Sequence, residues 1–253
     1  MGFGLKYKNE ETVFEEKIME GVPLLTYPLL EKTEFVTHGF TTRMGGVSEG
    51  YCSTMNISTT RGDAPEAIKE NRKRLARALG VNVEDFTYTH QTHTTNVAVV
   101  REEDRGKRFM ETDGMVTNVP GICLVTFYAD CVPLYFVDPV HRAIGLSHSG
   151  WRGTVGRMGQ VTLEKMKEVY GTRPEDVYAA IGPSICQDCY EVSGDVIEEF
   201  QKSFSKSVWP QLFYKKENGK YQLNLWKANQ LVLTEAGVAE QKIAVTNLCT
   251  HCN

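Results

Sequence analysis

Residues 126–154 read TFYADCVPLYFVDPVHRAIGLSHSGWRGT. Two apolar runs rich in β-branched and aromatic residues, 132–137 and 143–146, flank Asp138-Pro139-Val140-His141, which puts Asp and Pro where a turn favours them. The pattern predicts a β-hairpin. A turn centred between Pro139 and Val140 sets Cys131 opposite His148 at the open end, with the two backbones roughly 5 Å apart. A thiol and an imidazole so placed close on one metal ion or form a thiolate–imidazolium pair. After His148 the chain turns through Gly150, Arg152 and Gly153 into a helical pattern, bringing backbone N–H groups and a guanidinium to the same spot. This is an active-site layout.

The totals frame that reading. A chain of 253 residues, 41% hydrophobic and 24% charged, buries a sizeable core and is read as one domain spanning 1–253. A net charge of -4 gives no electrostatic reason to expect nucleic acid or an anionic membrane as partner. The N-terminus lacks a signal-like apolar core, and no run reaches the roughly 18 apolar residues of a membrane span, so a cytoplasmic location is expected. Seven cysteines, an odd number in a chain large enough to fold without staples, favour metal or thiol chemistry over a disulfide framework.

Outward from the hairpin, residues 121–128 form a nearly continuous apolar run, expected as a strand buried on both faces that delivers Asp130 and Cys131 to its C-terminal end. On the N-terminal side, residues 1–34 look irregular apart from a short strand near 24–27, and 35–41 alternate like a strand before the glycine-containing turn that carries Arg43. That turn either cradles an anion or leaves Arg43 facing solvent. Asp63 is expected to cap a helix that runs to Ala78 and stops at Gly80, with a solvated charged face. Strands follow at 86–90 and 96–100, on either side of His90-Gln91-Thr92-His93. On the C-terminal side, a helix is predicted over 155–169 with Gly171 as its stop, a strand over 177–181, helices over 194–204 and 225–237, and a strand over 243–246. Alternating strands and helices with intervening hairpins predict an α/β fold built on mixed sheets.

Three groups of residues suit a metal. Cys131 and His148 with either His90 or His93 make a His-Cys-His set with an open coordination position, suited to activating water or polarising a substrate. Spacing alone leaves the choice between His90 and His93 open. Cys186-x-x-Cys189 and Cys249-x-x-Cys252 resemble the halves of a four-thiolate zinc site. Sixty residues separate Cys189 from Cys249, outside the usual ribbon spacing, so these four are read as buried small residues or spare thiols near the pocket. With six histidines and no His-x-His pair, the chain lacks the imidazoles of a laccase-like trinuclear copper cluster. A single-copper site, or a metal-free Cys131 nucleophile with His148 as base, stays within reach of the same residues.

Several segments together carry a specific resemblance: Thr37-His38-Gly39-Phe40, Gln91-Thr92-His93, Thr112-Asp113-Gly114, Ala129-Asp130-Cys131-Val132-Pro133, His148-Ser149-Gly150-Trp151-Arg152-Gly153-Thr154, Gly182-Pro183-Ser184-Ile185, Cys189-Tyr190-Glu191-Val192 and Asn247-Leu248-Cys249-Thr250. In this order they resemble the YfiH-like family, whose members have been described as polyphenol oxidases or laccase-domain proteins and as purine nucleoside phosphorylases with adenosine deaminase activity. The resemblance implies a single-domain α/β/β/α layered fold, similar to certain cysteine hydrolases, with a zinc-binding pocket of His93, Cys131 and His148. Copper is the alternative ion. Two departures stand out: Thr94 occupies a position where relatives usually have Gly, and Gln187-Asp188 separate cysteines that are adjacent in many relatives.

The implied activity is phosphorolysis of adenosine and inosine, extending to S-methyl-5′-thioadenosine, with hydrolytic deamination of adenosine at the same pocket. Arg152 is expected to hold phosphate or developing negative charge, with Arg43 as a second substrate contact; the plain alternative for Arg152 is an ion pair that fixes the turn. Asp130 is expected to orient a ligand imidazole, and Asp113 or Glu191 to meet substrate as proton carrier; cap or turn roles are the alternatives. Competing activities are an amide hydrolase that edits peptidoglycan precursors, a single-copper oxidase, and a zinc-holding interaction protein without turnover.

Overall fold

The computed structural model describes residues 2–253. Its centre is a six-stranded mixed sheet: β1 (Val97–Val99), β2 (Gly114–Thr117), β3 (Val132–Asp138), β4 (Ala143–Ser149), β5 (Tyr178–Ile181) and β6 (Ile243–Val245). The spatial order is β6-β5-β3-β4-β2-β1. The inner four strands pair antiparallel and each outer pair is parallel. Three further three-stranded sheets surround it, so the expected mixed α/β class holds.

The hairpin β3–β4 forms as predicted, but its register is displaced. His148 faces Pro133 and Ser149 faces Val132, two positions from the expected pairing. The cause lies in the turn. The Asp138 carboxylate accepts the N–H groups of Val140 (2.9 Å) and His141 (3.1 Å), and Arg142 closes the loop with φ 51. The turn therefore has four residues between the strands. A slip of two preserves which face each side chain occupies, so Cys131 and His148 remain diagonal neighbours.

Three other expectations change. The apolar run 121–128 pairs only over Cys123–Val125, in a parallel sheet with Phe86–Thr89 and Arg108–Phe109. Beyond it the Gln91 side chain takes the place of a neighbouring strand, donating to the Phe127 carbonyl (2.6 Å) and accepting from its N–H (3.0 Å). Of residues 35–41 only Phe40–Thr41 are paired, against a hairpin of Glu15–Met19 and Val22–Thr26 whose turn residues, Glu20 and Gly21, both have positive φ. The helix expected over 155–169 is two, Trp151–Val155 and Met158–Tyr170, broken where Arg157 adopts φ 58.

The charged helix Pro65–Leu79 does end at Gly80, which is left-handed at φ 69, but Asp63 does not cap it. Its carboxylate instead accepts from Ser48 and Asn56. Nor is the polar face wholly solvated: buried Asn71, together with Arg72 and Arg74, bonds carbonyls of the 45–57 loop and so shapes the segment that displays Arg43.

Packing explains why the central sheet is continuous. Leu134, Phe136, Ala179 and Ile181 point from it into the largest core cluster, where they meet Leu163 and Met166 of Met158–Tyr170 and Val232 and Leu233 of the helix Leu225–Glu235. Each of the larger of these side chains, fully buried, contributes roughly 1.5–3 kcal/mol. The opposite face packs Val137 and Ala180 against Tyr27 and Leu30. The sheet is thus packed on both faces.

Candidate metal centre

One donor atom from each of His93, Cys131 and His148 lies within 4.8 Å of the other two. Cys131 Sγ is 3.8 Å from His93 Nε2, and the two imidazoles meet edge to face with centroids 4.9 Å apart. Of the two histidines that spacing left open, His93 joins the group and His90 does not. Continuing the hairpin register sets Gly150 across from Cys131. A Cβ on Gly150 would lie 3.0 Å from Cys131 Sγ and 3.1 Å from His93 Cδ2, so the glycine keeps the space among the donors clear.

Asp113 builds this arrangement. It is fully buried and receives the N–H groups of Thr92 (3.1 Å), His93 (3.0 Å) and Thr94 (2.9 Å) together with the Thr94 hydroxyl (2.9 Å). These bonds hold His93 in a left-handed conformation, φ 63, that is costly for a non-glycine residue. Thr94, the departure from the family's usual glycine, thereby contributes a hydroxyl that fastens the loop. On its other side Asp113 meets His148 Nδ1 at 2.9 Å, and its carbonyl receives the His148 N–H at 2.7 Å. With Nδ1 carrying the proton toward the carboxylate, Nε2 is the atom free to bind a cation.

The electrostatics follow from these contacts. Burial disfavours charge on Asp113, yet His148 and the Thr94 donors hold its carboxyl well below the usual carboxylate range. Burial alone would push His148 down, but Asp113 and then Cys131 lift it to about 9. Burial and the neighbouring His148 push His93 down. His148 would have to give up the proton on its ligating nitrogen to hold a cation here, as metal ligands require.

The residues present fit a metal. Two imidazoles and a cysteine sulfur are the donor set of a three-ligand catalytic zinc site, and His93 is exposed, so the group is reachable from solvent. Arg152 stands beside it. The guanidinium stacks on Trp151, 4.3 Å from the ring centroid, and no carboxylate pairs with it among the described residues, so the turn-fixing ion pair is not seen.

The remaining candidates are placed otherwise. Asp130 does not orient an imidazole; Asp113 does, while Asp130 is exposed and accepts from the Thr250 hydroxyl at 2.6 Å. Asp113 in turn is too buried to touch substrate. Glu191 is committed to Lys216, Asn218 and Lys220 on the surface, where Lys216 above all holds its carboxyl at about 2. Arg43 lines a cleft of about 860 Å³ that reaches Tyr128 and Ala129 but includes none of the three donors. The cleft therefore ends short of the three-donor group.

Two residues escaped the sequence reading. Tyr190 is near Cys131, Arg152 and Asp130, and burial, then Cys131, lifts its phenol to about 12. Asn229, buried on the helix Leu225–Glu235, bonds Ser149 (2.9 Å) and Thr154 (3.0 Å) and so fixes the turn that carries Arg152. Nothing local marks either; both depend on contacts between distant segments.

Comparison with known proteins identifies the family. A family model described as multi-copper polyphenol oxidoreductase laccase matches residues 37–253. A purine nucleoside phosphorylase of Deinococcus radiodurans is 43% identical over 220 residues, 87% of this chain and 81% of that protein. Adenosine deaminase RL5, from an unknown prokaryotic organism, is 35% identical over 236 residues, 88% of this chain and 89% of its own. Among solved structures, the hypothetical protein YfiH of Bacillus licheniformis superposes with a TM-score of 0.87 at 31% identity, covering 96% of this chain and 91% of that one. The chain belongs to this YfiH-like laccase family.

Proposed function

We propose that residues 1–253 form one layered α/β/β/α domain that performs phosphorolysis of adenosine and inosine and hydrolytic deamination of adenosine at the His93–Cys131–His148 site. S-methyl-5′-thioadenosine is a further phosphorolysis substrate in this reading. The observation that carries it is the convergence of three metal donors beside Arg152, which has no carboxylate partner among the described residues, in a chain whose relatives are named purine nucleoside phosphorylase and adenosine deaminase.

The three donors suit zinc, which supplies Lewis acidity and a nucleophile at neutral pH when bound. Everything else falls to the chain's own groups. In deamination water adds to the ring carbon bearing the amine, and ammonia leaves. In phosphorolysis a phosphate oxygen bonds the ribose C1′ as the bond from C1′ to the purine nitrogen breaks, and the base takes up a proton. Arg152 suits the phosphate dianion, since an uncommitted guanidinium binds two of its oxygens at once. Tyr190, whose phenol stays protonated across neutral pH, borders the same space as a hydrogen-bond donor. Asp113 acts through His148 by fixing its tautomer.

The test is a nucleoside panel, with and without phosphate, product identification, and metal analysis of the same sample. Cys131→Ala is expected to abolish both purine activities together with the bound metal. Phosphorolysis that persists in the metal-free variant would refute the shared site, and copper in place of zinc with oxygen consumption would point to an oxidase.

A further inference from the structure

The two Cys-x-x-Cys pairs, read from spacing as unrelated thiols, meet in the fold. All four sulfur atoms, of Cys186, Cys189, Cys249 and Cys252, lie within 4.8 Å of one another, and Cys189 Sγ is 3.5 Å from Cys252 Sγ. The intervening chain places strand β6 beside β5, and then continues through a parallel bridge between Ser184 and Cys249. Linear separation therefore said nothing about proximity here.

We propose that these four thiolates bind a structural zinc ion, distinct from the His-Cys-His centre. Three observations support it. A zinc tetrahedron with Zn–S of about 2.3 Å has sulfur edges of about 3.8 Å, which matches the cluster; an iron–sulfur cluster puts its own atoms between the thiolates and holds them further apart. Backbone amides are turned toward the sulfurs, as thiolates require: the Cys186 N–H lies 3.2 Å from Cys249 Sγ, and the N–H groups of His251 and Cys252 also face it. Finally, the Lys8 ammonium, 3.2 Å from Asp188, also reaches Cys186 and offsets part of the negative charge of four thiolates around a divalent ion.

The ion has a structural task. Cys249 and Cys186 are buried, and no ligand position is left over for substrate. The segment it fastens carries Thr250, which holds Asp130 next to Cys131, and Cys189 directly precedes Tyr190. A tetrathiolate staple would thus anchor two walls of the catalytic pocket to the chain's C-terminal turn.

The experiment removes the other metal first. His93→Ala combined with Cys131→Ala, purified anaerobically, is expected to retain one equivalent of zinc per chain by mass spectrometry of the metal. Adding Cys189→Ser and Cys252→Ser is expected to release that equivalent. Because those serines can prevent folding, cobalt is loaded into the His93→Ala, Cys131→Ala protein as a second readout. Intense visible bands of a tetrahedral ion with strong thiolate-to-cobalt charge transfer support the proposal. No retained metal, a weak six-coordinate cobalt spectrum, iron with inorganic sulfide, or a mass showing Cys–Cys disulfides would each overturn it.

Discussion

Replacing Asp113 by Asn tests how the site is organised with almost no change of shape. Asp113 accepts five hydrogen bonds: Oδ1 receives the His93 N–H and His148 Nδ1, and Oδ2 receives the N–H groups of Thr92 and Thr94 and the Thr94 hydroxyl. An asparagine must turn its NH2 toward one of these sets. Facing the Oδ2 set would oppose two backbone donors that cannot reverse; facing the Oδ1 set opposes one, because His148 can change tautomer. The second arrangement wins, and it moves the His148 proton to Nε2, the atom that binds metal. The orphaned His93 N–H costs about 1–3 kcal/mol of stability. The wrong tautomer and lost support lower metal affinity on the order of 10–100-fold. Zinc competition against a fluorescent chelator, urea melts and nitrogen-15 spectra of the imidazole measure the three effects. Unchanged zinc affinity with the proton still on Nδ1 would refute the assignment of Asp113 as the group that orients His148.

Arg152→Ala removes the one charged side chain assigned to phosphate. A charge-assisted hydrogen bond is worth about 1.5–3 kcal/mol, so phosphorolysis is expected to lose roughly 10–100-fold in kcat/KM for phosphate while deamination changes little; steady-state assays of the two reactions check this. Gly150→Ala places a methyl group 3.0 Å from Cys131 Sγ, so metal content and both activities should fall while circular dichroism stays that of the wild type. His38 gives a pH dependence. Burial pushes its imidazole down to about 4, and the neutral ring accepts the Tyr27 N–H at 2.8 Å. Between about 6.5 and 4 the unfolded chain binds the proton more readily, so this contribution is present above pH 6.5 and lost as pH falls, by on the order of 3 kcal/mol. Urea melts at pH 7.5 and 4.5 should show His38→Gln losing less stability on acidification than the wild type.

Much of the architecture was legible because it is local. Strands β3 to β6 and the helices Gly194–Ser203 and Leu225–Glu235 stand close to where their apolar periodicity puts them, and Gly80 and Gly171 end helices in the left-handed conformation that glycine favours. Cys131 and His148 are not paired as expected, and they stay on one face as diagonal neighbours only because the slip in register was even. What stayed hidden depends on partners distant in the chain. Gln91 replacing a strand for Phe127, Asp113 beneath two ligands and the meeting of four cysteines all arise from tertiary packing. Asp130 and Asp113 looked alike as turn acids. Burial against exposure separates them, and single residue types do not encode it.

Both proposed activities require one cation shared by His93, Cys131 and His148 and open to substrate. The most direct measurement is an anomalous difference map from crystals of the metal-analysed protein, collected on both sides of the zinc absorption edge. It should show a peak about 2.3 Å from Cys131 Sγ and about 2.0–2.1 Å from one nitrogen of each histidine, with no fourth protein ligand on the Arg152 side. A map without density among these three residues, or a peak closed off by a fourth side chain, would contradict it.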